Sequence, residues 1–306
     1  MSISKSIVSN SYDAYLLDLI IEGEGFRGDV YLDIKNIPTI GYGFALEVDG
    51  QGVVRHDLDS ALAYAGITWS TAQKNFIQDI IDLVNLGNVS QAQSNLQNAY
   101  NVGGIFYQQE ISESDAADLF DYALDGSRQI ISSNTSSVGN KTIGSIFQEF
   151  EVSHAETEEL AAIYSMIYNL PTLFGSGLAD ALDKGDQARA WYEMLYNHGN
   201  TDILGLMNRR SSEADLFKIV GNDASIDEIT LALNTLYNGQ DYGGNDIYER
   251  IQQRDEHVNF EDKVGSYLQQ LQSHYTSSNE IDYVQVADGE WINAGDIIAK
   301  VASGKS

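Results

Sequence analysis

Along most of the chain apolar residues recur every three or four positions, which predicts a protein built mainly of helices. Residues 11 to 24 open at Ser11 and carry Leu16, Leu17, Leu19, Ile20 and Ile21. Ser70-x-x-Gln73 has the form of a capping box ahead of Phe76, Ile77, Ile80, Ile81 and Val84, and Gly87 ends that helix. Ser112-x-x-Asp115, Ser153-x-x-Glu156 and Ser225-x-x-Glu228 are similar starts. The run opened by Ser153 must stop before Pro171, because proline disfavours helical backbone in the residue preceding it. Ser176 and Asp186 open two further helices, and residues 205 to 220 form another that ends at Gly221.

One stretch departs from this period. "VYLDIKNIPTIGYGFALEV", residues 30 to 48, alternates apolar and polar positions among Gly, Pro and Asn, which predicts a hairpin or small meander. Residues 86 to 106 and 132 to 144, rich in Ser, Asn and Gly, read as loops or connections. After Gly221 the character shifts to a capped helix, a loop over 238 to 248, a helix over 261 to 275 and a β-hairpin over 283 to 301. The expected division is therefore residues 1 to 220 as one domain and 221 to 306 as an accessory region. The fold class is α+β, mainly α.

Composition narrows the function classes. The chain has 306 residues, 43% of them hydrophobic, enough for one large or two modest globular domains. No apolar run approaches the eighteen or so residues of a membrane span. Asp13 and Asp18 interrupt the first apolar stretch and no small-residue cleavage site follows, so the N-terminus reads as a helix start and not a signal peptide. The expectation is synthesis in the cytoplasm and action elsewhere by way of a pore or secretion machine. With no cysteine there are no disulfides, thiolate metal sites or cysteine nucleophiles. The histidines at 56, 154, 198, 257 and 274 lack metal-ligand spacing, and no cofactor or metal is expected. Seventeen basic against 45 acidic residues, a net charge of −28, argues against nucleic acid as a partner and fits solubility or a saline or calcium-rich environment.

The candidate chemistry lies in "EGEGFRGDVYLDIKNIPTIGYGF", residues 22 to 44. Glycoside hydrolysis needs a protonated carboxyl to donate to the leaving oxygen and an ionised one to act as base or nucleophile. Glu24 stands in the last turn of an apolar helix, where partial burial and the negative helix end both raise a carboxyl pKa. Asp33 follows on a strand-like segment, so the turn between them can bring both side chains to one cleft. Thr39 lies on the next strand, where a hydroxyl can hold a water. Gly41 and Gly43 would let a sugar ring approach the backbone. On spacing alone a capped helix followed by a hairpin is the better reading, because paired acids nine residues apart are common.

The full pattern, EG-x5-Y-x-D-x5-TIG-x-G with Glu24, Gly25, Tyr31, Asp33, Thr39, Ile40, Gly41 and Gly43, resembles the catalytic segment of the phage-type lysozymes, that of the T-even phages and related endolysins. Residues 111 to 134 resemble that family's helix after the cleft, residues 159 to 199 its central and following helices, and "GLMNRRSSEADLF", residues 205 to 217, its late asparagine–arginine element. The resemblance runs in order, with gaps, over roughly residues 13 to 217.

It implies a lysozyme-like fold, with a small β lobe and a helical lobe, and a peptidoglycan muramidase cutting the β-1,4 bond between N-acetylmuramic acid and N-acetylglucosamine with inversion. Glu24 would be the acid, Asp33 the base, Thr39 the water-holder, and Arg209 the arginine that pairs with the acid. Tyr31 would support the site, and Gly41, Gly43 and Phe44 would line it; Phe44 stands where the T-even enzyme has a histidine. Residues 45 to 110 exceed the family's usual connection and form an inserted helical segment, and residues 222 to 306 form an extension that the minimal enzymes lack.

The implied partner is bacterial peptidoglycan in the cell wall or periplasm. A phage endolysin or virion lysin, and a bacterial effector or bacteriocin with its immunity protein, fit the sequence equally. A lysozyme-fold glycan binder that does not cut is the alternative from another class. "DYGGNDIY", residues 241 to 248, resembles one unit of the glycine–aspartate calcium repeats, but such repeats need several stacked copies, so it reads as a turn. Trp291 reads as either a packing residue or a sugar-stacking one, with packing favoured.

Overall fold

A computed structural model describes residues 3, 7–8, 12–48, 51–196, 204–254, 259–278, 283–285 and 291–303. The fold is α+β and mainly helical, with three small antiparallel sheets among the described residues. Two compact units divide the chain, Asp13–Ser127 and the rest (Met1–Tyr12 with Arg128–Ser306). The division does not fall near 221, as the loss of helical regularity there suggested; residues on both sides of 221 belong to one unit.

The Asp13–Ser127 unit runs α1 (Tyr12–Glu24), β1 (Arg27–Leu32), β2 (Pro38–Gly41), β3 (Phe44–Ala45), α2 (Leu58–Tyr64), α3 (Thr71–Asn85), α4 (Val89–Ala99) and most of α5 (Glu113–Ser132). Ser11 lies outside the described residues. The expected capping boxes form: Ser70 N–H donates to Gln73 Oε1 at 2.8 Å and Gln73 N–H to Ser70 Oγ at 3.3 Å. At the start of α5, Ser112 N–H donates to Asp115 Oδ2 at 2.9 Å and Asp115 N–H to Ser112 Oγ at 3.1 Å. The meander is a three-stranded sheet in the order β1-β2-β3. Residues 89 to 99, expected as part of a loop, are α4. Its buried seam is only Ala92, Leu96 and Ala99, set among Gln, Ser and Asn, and it packs on α3 and β1.

Asp121 of α5 is an exposed residue, yet partial desolvation of its carboxyl by neighbouring atoms, then the charges of Asp13, Asp118 and Asp125, holds that carboxyl above the ordinary 3.8. A raised carboxyl pKa means that the folded state disfavours the charge, so stability is lost as pH rises through the folded pKa and regained below it. Asp121→Asn should therefore raise Tm by about 1–2 °C at pH 7, a surface-scale effect. The gain should vanish as pH falls below the ordinary aspartate range, a comparison that differential scanning calorimetry at pH 7 and pH 3 makes directly.

The other unit continues with β4 (Ser137–Val138), β5 (Lys141–Thr142), α6 (Ile143–Ser153), α7 (Glu158–Asn169), α8 (Ser176–Asp183), α9 (Gln187–Tyr196), α10 (Leu204–Phe217), α11 (Ile226–Asn238), α12 (Ile247–Arg254), α13 (Phe260–Ser278), β6 (Tyr283–Gln285), β7 (Trp291–Asn293) and α14 (Ala294–Ser303). Three expectations change. Ser153 is the last residue of α6, not a cap; α7 is capped by Thr157, whose Oγ1 accepts from Leu160 N–H at 3.2 Å. Residues 137 to 142, expected within a loop, pair as β4 and β5. Residues 294 to 303, expected as strand, are helical, and Asn293 Oδ1 accepts from Gly295 N–H at 2.8 Å at the helix start.

Every residue of α9 is buried. Trp191 of α9 lies against Phe260 of α13 with ring centroids 6.4 Å apart, and Phe260 against Tyr237 of α11 at 5.5 Å. Tyr248 of α12 completes the cluster, 4.8 Å from Tyr237. The C-terminal helices are thus part of the core around α9. Among the described residues no helix is long and apolar enough to cross a membrane.

Candidate active site

Glu24 is the last residue of α1, and its side chain lies outside the described residues. Gly25 then takes φ +69°, the left-handed conformation that ends a helix without a Cβ penalty and turns the chain into β1. Tyr31 and Thr39 sit opposite each other in the β1–β2 pair.

Asp33 heads the turn between those strands and closes it with its own side chain. Its Oδ1 accepts from Lys35 N–H at 2.8 Å and Ile37 N–H at 2.7 Å. Its N–H donates to the Ile37 carbonyl at 3.0 Å, and Asn36, at φ +63°, donates to the Asp33 carbonyl at 2.9 Å. This is the local pairing that makes aspartate a turn former. One carboxylate oxygen therefore holds the turn, and Oδ2 is the oxygen left to take a proton. Thr39 is buried, and its hydroxyl donates to the Ile37 carbonyl at 2.9 Å. With that hydrogen committed, Thr39 can meet a water only as an acceptor.

Tyr31 is half-buried, with the Arg27 guanidinium 4.4 Å from its ring centre, and Arg27 in turn grips Asp29 with two hydrogen bonds. The space expected beside Gly41 for a sugar is filled by protein: a Cβ there would stand 3.0 Å from the Ala116 Cβ of α5. Gly41 and Gly43 have φ +66° and +89°, so their absent side chains serve backbone turning and sheet–helix packing. Phe44, expected to line the cleft, is a core residue at 2% exposure, its ring covered by the Arg55 guanidinium at 4.3 Å. An aromatic on the core-facing side of a small sheet is drawn inward by its large apolar area.

Arg209 lies on α10 in the other compact unit. Its Nε donates to Glu213 Oε1 at 3.1 Å, and its Nη2 reaches the carbonyl and Oγ of Ser165 on α7 at 3.3 and 3.4 Å. Arg210 pairs with the same carboxylate at 2.7 Å, and Ser165 Oγ donates to it at 2.7 Å. Burial pushes the Glu213 carboxyl up while the two guanidiniums pull it down. Sequence reasoning missed Glu213, Ser165 and Arg210. Their signal was present: positions 210, 213, 214 and 217 form one helical face, and two of its four residues are charged.

Among the described residues no group of three or more His, Asp or Glu side chains could hold a metal ion. In the 241–248 turn the Asp241 carboxylate accepts from the backbone and side-chain amides of Asn245, each at 2.9 Å. It closes the turn as Asp33 closes its own. Compared with known proteins, the chain matches no family model, no curated sequence and no solved structure.

Proposed function

We propose that the chain is a peptidoglycan muramidase of lysozyme-like fold, hydrolysing the β-1,4 bond between N-acetylmuramic acid and N-acetylglucosamine by an inverting acid/base route. The observation that carries this reading is the placing of the motif on the elements: Glu24 ends α1, Asp33 heads the β1–β2 turn and Thr39 stands on β2 opposite Tyr31. Glu24 gives its proton to the leaving glycosidic oxygen as the bond to the anomeric carbon breaks. A water attacks that carbon from the opposite face and gives its proton to Asp33 Oδ2, while Thr39 accepts a hydrogen bond from the same water. Proton exchange with solvent then resets both carboxyls. Lysis of a bacterial wall, by a phage endolysin or virion lysin or by an antibacterial effector, is the biological role that this chemistry supports.

The test is loss of turbidity of purified peptidoglycan. Glu24→Gln and Asp33→Asn should each lower the rate by about 10²–10⁴-fold, the usual worth of general acid–base catalysis. Asparagine keeps the Oδ1 acceptor that closes the turn, so a loss in Asp33→Asn reports chemistry and not unfolding. Wild-type rates in both variants would overturn the assignment. The burial of Thr39 and the engagement of Asp33 Oδ1 favour a second reading, a glycan binder that does not cut. That reading predicts co-sedimentation with peptidoglycan and no reducing ends released.

A further inference from the structure

Among the described residues β1 is an edge strand, flanked by β2 on one side and by no strand on the other. Its pairing with β2 is irregular where it matters, for the register shifts between Arg27 and Tyr31. An edge strand carries backbone groups with no ladder partner, and they must find water or another element. Here the segment inserted between the sheet and α5 supplies them. Val30 N–H donates to the Tyr100 hydroxyl at 2.8 Å, and Ile111 N–H donates to the Gly28 carbonyl at 2.9 Å. Gly28 and Val30 are two apart, so in a strand both groups face the same edge.

Tyr100, at the end of α4, is not free to move away from that edge. Its ring stacks on Phe106 with centroids 5.4 Å apart and planes at 15°. Phe106 is fully buried and meets Trp69 edge-on at 5.0 Å and Phe76 at 5.9 Å. Phe106 N–H donates to the Ala99 carbonyl at 2.8 Å, and Gln73 Nε2 to the Ile105 carbonyl at 3.0 Å, so the loop that carries Phe106 is itself tied down. Burial pushes the Tyr100 hydroxyl up to about 12, and it stays a neutral acceptor for the amide across the physiological range. The opposite flank of the hairpin is equally close-packed, Gly41 against Ala116.

We infer that Tyr100 is a positioning residue: through its hydroxyl the inserted segment holds the outer edge of β1 at Val30 and thereby sets the place of the Asp33 turn. The role in hydrolysis rests on the muramidase reading above. Val30 and Asp33 are joined by a short length of strand and the turn beyond is closed on Asp33 itself, so a shift of the edge is carried to the carboxylate. A misplacement on the order of 1 Å is enough to cost about 10²-fold in rate.

The full chain with Tyr100→Phe tests this, since phenylalanine keeps the stack on Phe106 and removes only the hydroxyl. With soluble peptidoglycan fragments kcat should fall roughly ten- to a hundredfold, while KM changes less than about threefold. Amide hydrogen exchange should speed up at Val30, Lys35 and Ile37. A purely structural role would lower Tm and leave kcat and KM unchanged at temperatures where the variant is folded, and that result overturns the inference. Gly28→Ala perturbs the same edge at its Ile111 contact, because its Cβ would lie 2.9 Å from the Ile111 carbonyl oxygen. It should give the same kcat-against-KM split, and it stands in should Tyr100→Phe not fold. Failure of the muramidase reading looks different, with wild type itself releasing no reducing ends. In that case exchange decides alone: unchanged protection at Lys35 and Ile37 in both variants overturns the clamp.

Discussion

A chain ending at Gly221 is expected not to fold. The helices α11, α12 and α13 pack in the same compact unit as α9, and α9 has no solvent-facing side. Cutting at Gly221 strips the cover from Trp191, which is 1% exposed, and removes Tyr237, Tyr248 and Phe260 from the cluster built on it. Tyr237 and Phe260 are buried, and a buried aromatic is worth about 3–5 kcal/mol when cut to alanine, against a whole folding margin of about 5–15 kcal/mol. Losing both at once, with half-buried Tyr248 and the apolar faces of their helices, exceeds what the remainder can absorb. The truncated chain should appear in inclusion bodies, or if soluble should bind a hydrophobic dye and melt without a cooperative transition. The single variant Phe260→Ala should lower Tm by roughly 10 °C on the same reasoning. A truncated chain with a sharp transition near that of the full protein would mean that residues 222 to 306 are a separable module.

The second large effect is at Glu213. This carboxylate is 1% exposed and stands between two guanidiniums, Arg209 at 3.1 Å and Arg210 at 2.7 Å, with Ser165 donating to it as well. Burial raises its pKa, while the two guanidiniums beside it and the Ser165 hydroxyl favour the charged form. Glu213→Gln keeps the shape and an acceptor oxygen and removes only the charge. It should destabilise by about 3–5 kcal/mol, the usual result of removing one partner from a buried ion pair. Arg210→Met alone should cost less, because Arg209 still pairs with the carboxylate. In the double variant Arg210→Met with Glu213→Gln the two losses should not add, since the second change removes a charge that the first has partly stranded. Chemical denaturation of the four proteins measures this coupling, and a Glu213→Gln midpoint equal to wild type would show that the carboxylate carries no net charge.

How much of this was legible beforehand varied with how local the cause was. The caps at Ser70, Ser112 and Ser225 and the stop before Pro171 depend on residues within one helical turn, and they could be read directly. The hairpin over residues 30 to 48 was equally plain from alternation and turn residues. α4 was hidden because a short amphipathic helix between packed neighbours needs only Ala92, Leu96 and Ala99 on its inner face. α14 was hidden because "INAGDII" serves a strand or a helix by pattern, and Asn293 as a cap decided it. In the candidate site, the order of Glu24, Asp33 and Thr39 along the chain was readable from the motif. That Gly41 faces Ala116 and that Phe44 lies under Arg55 were not, because each depends on a partner distant in sequence.

What the sequence determined by itself is therefore the list of elements with local signals, the mainly helical α+β class, and the short segment in which candidate carboxylates sit beside a hydroxyl and special-backbone glycines. Only the tertiary structure decided where the compact units divide, that the C-terminal helices belong to the core of α9, and that residues 45 to 110 reach back to hold the edge of β1. The reason is physical. A cap or a turn is stabilised by groups a few residues apart, whereas burial of α9 and satisfaction of the Val30 amide are settled by residues that only folding brings near.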